Sequence, residues 1–135
     1  MKKLTVPATL EQLEVVQAFV EGELEEHGCP MKTVMQVSIA VEEIYVNIAR
    51  YAYHPEIGEA TVRCAVGGEP LQITIQFLDS GRPFDPLQKP DADTTLTAEE
   101  RDIGGLGILM VKKSMDGVTY EYKDGCNILT LSKNL

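Results

Sequence analysis

The sequence predicts an α+β fold: a two-layer α/β sandwich whose mixed, mostly antiparallel sheet carries its helices on one face. Three observations lead there. Strand-like alternation comes in consecutive pairs, at 60–66 with 71–78 and near 118–123 with 126–132, and strands in succession argue for antiparallel neighbours. The connections have hairpin chemistry, Gly67-Gly68-Glu69-Pro70 in the first pair and Asp124-Gly125 in the second. Helical periodicity fills the chain around them, so the element order is β-α-α-β-β-loop-α-β-β.

Taken in order, residues 2–7 read as a short strand. Thr9-Leu10-Glu11-Gln12 has the spacing of a capping box and opens a helix. The apolar positions Leu13, Val16, Val20 and Leu24 recur at helical spacing, and Gly28 suits the residue just past the helix end. Pro30 starts a second, longer helix to about Tyr53, stopped before Pro55. In the strand over 71–78, Ile73, Ile75 and Phe77 face one way and Gln72, Thr74 and Gln76 the other. Residues 86–103 are polar and contain Pro86 and Pro90, which predicts a long lid-like loop with a helical turn near Leu96–Glu100. A helix follows from Gly105 to about Met115. With no repeats and no linker, residues 1–135 are expected to form a single domain.

Composition narrows the partners. The 135 residues carry a formal net charge of −9. An acidic surface repels nucleic acid backbones and anionic membranes, so direct nucleic acid and membrane partners are not expected. The chain passes from Met1-Lys2-Lys3 straight to Leu4-Thr5-Val6-Pro7. It shows no signal peptide and no spanning apolar run, which makes the cytoplasm the expected location. Cys29, Cys64 and Cys126 are odd in number and widely spaced, which suits reduced thiols filling space.

Three short motifs carry candidate chemistry. On a helical wheel Val34, Val37, Val41, Ile44 and Ile48 form an apolar stripe, and Gln36, Glu43, Asn47, Arg50 and His54 a polar one. Glu43 and Asn47 are four apart and share a patch. A carboxylate beside an amide oxygen suits a hard cation such as Mg²⁺, and would equally serve as an ordinary solvated face. Asp79-Ser80-Gly81-Arg82-Pro83-Phe84 ends a strand. A carboxylate there can accept from an exocyclic amine, Gly81 lets the backbone approach a flat ring, and Pro83 and Phe84 stiffen and cover the loop. Asp-Ser-Gly is also common turn chemistry. Gly104-Gly105-Leu106-Gly107 opens a helix, where exposed amides favour phosphate, although the same glycines would suit a hinge.

The conjunction of the three, in this order and in these contexts, resembles the nucleotide pocket of the histidine-kinase-like ATPase superfamily, the GHKL or Bergerat fold. With the short length and the run from Gly105 to Asp116, the chain is most similar to the bacterial anti-sigma-factor serine/threonine kinases. The resemblance implies ATP and Mg²⁺ as cofactors, with Glu43 as general base, Asn47 as the metal ligand and Asp79 reading the adenine amino group. It places Gly81, Phe84, Gly104, Gly105, Leu106 and Gly107 around the nucleotide, and Arg101 is the nearest cation for the γ-phosphate. The implied activity is phosphoryl transfer from ATP to a small anti-sigma-factor antagonist protein, with a sigma factor as a further partner and a homodimer as the assembly. The alternative is a nucleotide-gated binding module that sequesters a sigma factor or another partner without kinase activity.

Overall fold

The computed structural model describes residues 1–83, 85 and 110–135. Five strands, β1 (Lys2–Pro7), β2 (Glu59–Gly67), β3 (Gln72–Asp79), β4 (Gly117–Lys123) and β5 (Cys126–Asn134), form one sheet in the order β1-β2-β3-β5-β4. Every pairing is antiparallel. Two helices, α1 (Leu13–Glu26) and α2 (Met31–Asn47), lie between β1 and β2 in sequence. Residues 110–114 are helical, at the end of the stretch expected to be a helix up to Met115.

The helices and one face of the sheet close a single apolar cluster. Val16, Val20 and Leu24 come from α1, and Val34, Val37, Val41 and Ile44 from α2. Ile73, Ile75, Phe77, Leu129 and Leu131 line the sheet side. Each such side chain taken from water contributes about 1.5–3 kcal/mol. The expected stripe of α2 and the expected inward set of β3 are therefore the buried ones. The expected strands end within two residues of the observed ones, and the Asp124-Gly125 turn holds: φ is 54° at Asp124 and 78° at Gly125, as a two-residue turn with both centres left-handed requires. Burial pushes the Cys64 thiol up to about 12, so it packs as a small apolar group. All three cysteines are free thiols.

Two local expectations change. Thr9 makes no side-chain cap; it precedes a 3-10 turn, Leu10–Gln12, that leads into α1. Its carbonyl takes over, accepting from Gln12 N at 3.1 Å and from the Tyr45 hydroxyl at 2.7 Å. Tyr45 also donates to Pro7 O at 3.1 Å, which ties α2 to the end of β1. The second change concerns α2, which was expected to run unbroken to about Tyr53. It stays α-helical to Asn47 and continues as a π-helical turn over Ile48–Ala52. Such turns widen the helix and shift the azimuth of the residues beyond them.

Candidate functional site: a helix face and the end of a central strand

Glu43 and Asn47 occupy the last α-helical turns of α2, both half-buried. The Oδ1 atom of Asn47 is sealed from solvent and has no hydrogen-bond partner among the described residues. A buried amide oxygen left without a donor is costly and uncommon in a folded protein, and it presents an acceptor that a cation can satisfy. The Glu43 carboxyl is raised above its ordinary value, first by burial and then by the neighbouring Glu42 charge. That shift moves it toward the range useful to a base near neutral pH.

Asp79 ends β3 and continues the inward alternation of Ile73, Ile75 and Phe77. It is 7% exposed. Its Oδ1 accepts from Gly81 N at 2.9 Å and from Asn127 Nδ2 at 3.0 Å. Burial raises its pKa, and these two donors pull in the other direction. Oδ2 has no partner among the described residues, so one carboxylate oxygen is fixed and the other remains an acceptor. Asn127 faces Asp79 because β3 and β5 are neighbours and the two residues are directly opposed in the register. It is likewise 7% exposed, and its amide also donates to Arg82 O at 2.9 Å while its Oδ1 accepts from the Tyr120 hydroxyl.

The loop after Asp79 rests on the end of the π-helical turn. Arg82 N donates to Ala52 O at 3.1 Å, and the Arg82 guanidinium donates to His54 O at 2.7 Å. Ser80 N donates to the Tyr53 hydroxyl at 2.7 Å, and that hydroxyl donates to Glu59 O at 2.6 Å. Gly81 is needed for this contact. A Cβ there would lie 2.3 Å from Ala52 O and 2.8 Å from Ala52 Cβ. The expected reason for the glycine was approach to a flat ring; among the described residues its close neighbour is protein backbone.

The structure thus joins the element carrying Glu43 and Asn47 to the loop following Asp79 through residues 52–54. Phe84, Arg101, Gly104, Gly105, Leu106 and Gly107, and the lid expected at 86–103, lie outside the described residues. Lys112 and Lys113 are exposed. Among the described residues no cluster of three or more His, Cys, Asp or Glu could hold a metal ion. A concavity of about 720 Å³ on the outer face of the sheet, walled by Lys3, Thr5, Thr61, Arg63 and Leu78, reaches Tyr53, Asp79 and Ser80 at its end.

Asn127 and Tyr120 were not found from sequence as site residues. The sequence does mark the Asp124-Gly125 turn just before Asn127. The missing piece was the pairing of β3 with β5, which sequence order does not reveal.

Known proteins share this architecture. A family model described as a histidine kinase-like ATPase domain matches residues 6–133. The chain is 28% identical over 131 residues to the serine-protein kinase RsbW of Listeria monocytogenes, across 93% of this chain and 82% of that one. It is 27% identical over 133 residues to the RsbW of Bacillus pumilus, across 93% and 81%. A crystal structure of the RsbU and RsbW domains of a Mycobacterium tuberculosis protein superposes with a TM-score of 0.68 at 16% identity; it covers all of this chain, which spans 33% of that one. That likeness speaks for the fold. A model match over nearly the whole length places this chain in the histidine kinase-like ATPase domain family.

Proposed function

We propose that the protein is an Mg²⁺-dependent ATP:protein phosphotransferase, a cytoplasmic serine/threonine kinase and anti-sigma regulatory factor formed by residues 1–135 as one domain. Its substrate is a small anti-sigma-factor antagonist protein. The observation that carries this reading is the sealed Oδ1 of Asn47, without a partner among the described residues, one helical turn from a half-buried Glu43 whose pKa is raised. The match to the ATPase family and the likeness to serine-protein kinases support it.

Asn47 Oδ1 would hold Mg²⁺, which takes few protein ligands and keeps the remainder of its shell from phosphates and water. Bound there, the ion supplies charge neutralisation on the phosphates. Asp79 Oδ2 accepts from the adenine amine, while Gly81 N and Asn127 hold the other oxygen. Glu43 takes the proton of the acceptor hydroxyl as the oxygen–phosphorus bond forms and the bond to the ADP leaving group breaks. A base so placed contributes about 10²–10⁴-fold. The amides of Gly104, Gly105, Leu106 and Gly107, the side chain of Arg101 and the ring of Phe84 belong to this reading on sequence grounds.

The second reading is a nucleotide-gated module that sequesters a sigma factor or another partner. It is favoured by one observation, a row of exposed apolar side chains along α2: Met31, Met35 and Ile39, which are 67%, 57% and 40% exposed. Single-turnover phosphorylation of a purified antagonist, run beside a pull-down, separates the two. With Glu43→Gln, transfer should fall by about two orders of magnitude or more while partner capture persists. Undiminished transfer would remove Glu43 as the base. Capture without transfer in the unaltered protein would favour sequestration.

A further inference from the structure

We propose that Tyr120 is a positioning residue for base selectivity, acting through Asn127 on the Asp79 carboxylate. The inference rests on the assignment of adenine to Asp79 under the proposed function.

The hydrogen bonds make a directed chain. The Tyr120 hydroxyl donates to Asn127 Oδ1; Asn127 Nδ2 donates to Asp79 Oδ1 at 3.0 Å and to Arg82 O at 2.9 Å. Both amide protons have strong acceptors and the amide oxygen has a donor. A flipped amide would set its oxygen against a carboxylate oxygen and a carbonyl oxygen at once. Tyr120 fills the one acceptor that would otherwise pull the amide elsewhere, and its donation polarises the amide so that Nδ2 becomes a better donor.

The consequence lies at Asp79. Oδ1 already takes two donors, from Gly81 N and Asn127. The carboxylate is therefore held in rotation about its last torsion, and Oδ2 is the oxygen left over for a ligand. A carboxylate fixed in this way with one outward acceptor prefers an amine over a carbonyl at the base edge, because a carbonyl would leave two acceptors in contact and no proton between them. Loosening Asn127 lets the carboxylate rotate, and the discrimination falls.

Tyr120 can be told apart from its neighbour. Tyr122 is the residue directly opposite Asn127 in the β4–β5 register, yet it is 48% exposed. Position in the ladder would nominate Tyr122; the hydroxyl geometry nominates Tyr120.

The test is titration of the full chain with ATP and with ITP in excess Mg²⁺. ITP carries a carbonyl oxygen where ATP carries the amine. The unaltered protein should prefer ATP. Tyr120→Phe should reduce the ATP:ITP affinity ratio about fivefold, the loss expected for one neutral hydrogen bond, and Tyr122→Phe should leave the ratio unchanged. Asn127→Leu should reduce it further, and adding Tyr120→Phe to Asn127→Leu should change nothing more, because the two act in series. Equal loss of ATP and ITP affinity in Tyr120→Phe would mean a purely structural role and overturn the proposal. So would an unchanged ratio, or additive losses in the double variant. A lack of preference in the unaltered protein would instead remove Asp79 from the base pocket, and with it the premise.

Discussion

Replacing Gly81 by Ala adds one methyl group at the tightest point of the site. The new carbon would lie 2.3 Å from Ala52 O, 2.7 Å from its carbonyl carbon and 2.8 Å from its Cβ. Carbon–oxygen contacts settle near 3.3 Å or beyond, so the loop must retreat by about 1 Å. The obstacle is backbone and cannot rotate away. A shift of that size breaks the 3.1 Å bond from Arg82 N to Ala52 O and stretches the 2.9 Å bond from Gly81 N to Asp79. Overpacking costs about 1–3 kcal/mol, and each loosened bond about 1 kcal/mol, more where the acceptor is charged. A total of about 3 kcal/mol corresponds to a fall in Tm of about 10 °C for a chain of this length. Gly22→Ala is the matched control: it lies in α1 with nothing within 4 Å of the added carbon, and should gain up to about 1 kcal/mol from helix propensity. Thermal melts of the two variants, with ATP titrations at 25 °C, check the reasoning. If Gly81→Ala melts within about 2 °C of the unaltered protein and binds ATP equally well, the loop does not depend on its seat on Ala52.

Other outcomes rest on the same geometry. Asn47→Ala should weaken Mg-ATP binding by tenfold or more, as removal of a metal ligand does, and it should reduce the metal dependence of that binding; calorimetric titrations with and without Mg²⁺ measure both. Glu42→Gln removes the like charge beside Glu43, so the acid limb of the phosphorylation rate should move to lower pH, and more so at low salt. Asp79→Asn should abolish the preference for ATP over ITP while stabilising the ligand-free protein at neutral pH. The sign comes from burial: a carboxyl raised in the folded state contributes its stability below its unfolded value and loses it as pH rises through the folded one. The gain in urea midpoint should therefore disappear at acidic pH.

Much of the fold was legible because periodicity writes itself into sequence. The valine and isoleucine stripe of α2 and the alternation of Ile73, Ile75 and Phe77 each report one buried face, and that face is where they lie. Asp124-Gly125 was legible because few residue pairs adopt two left-handed centres. The polar face of α2 was legible too, since Glu43 and Asn47 share neither side with the apolar stripe.

What escaped was non-local. The pairing of Asp79 with Asn127 requires β5 to lie beside β3, and nothing near either residue announces the other. Gly81 was read as making room for a ligand, and its contact with the backbone of Ala52, 29 positions earlier in the chain, went unseen. The π-helical turn had no sequence signal, since Ile48–Ala52 is unremarkable helical composition. The capping box at Thr9 failed because Gln12 N, the donor such a cap would use, bonds the Thr9 carbonyl in a 3-10 turn instead.

The seating of residues 80–82 on residues 52–54 has a bearing on how such pockets can be altered. The strand exit and the helix end meet through Ala52, Tyr53 and His54, none of which need touch a nucleotide. Transplanting residues 79–82 alone from a relative would bring a loop without its seat. The unit that can be exchanged is the loop together with 52–54, two segments far apart in the chain that must be recombined as one.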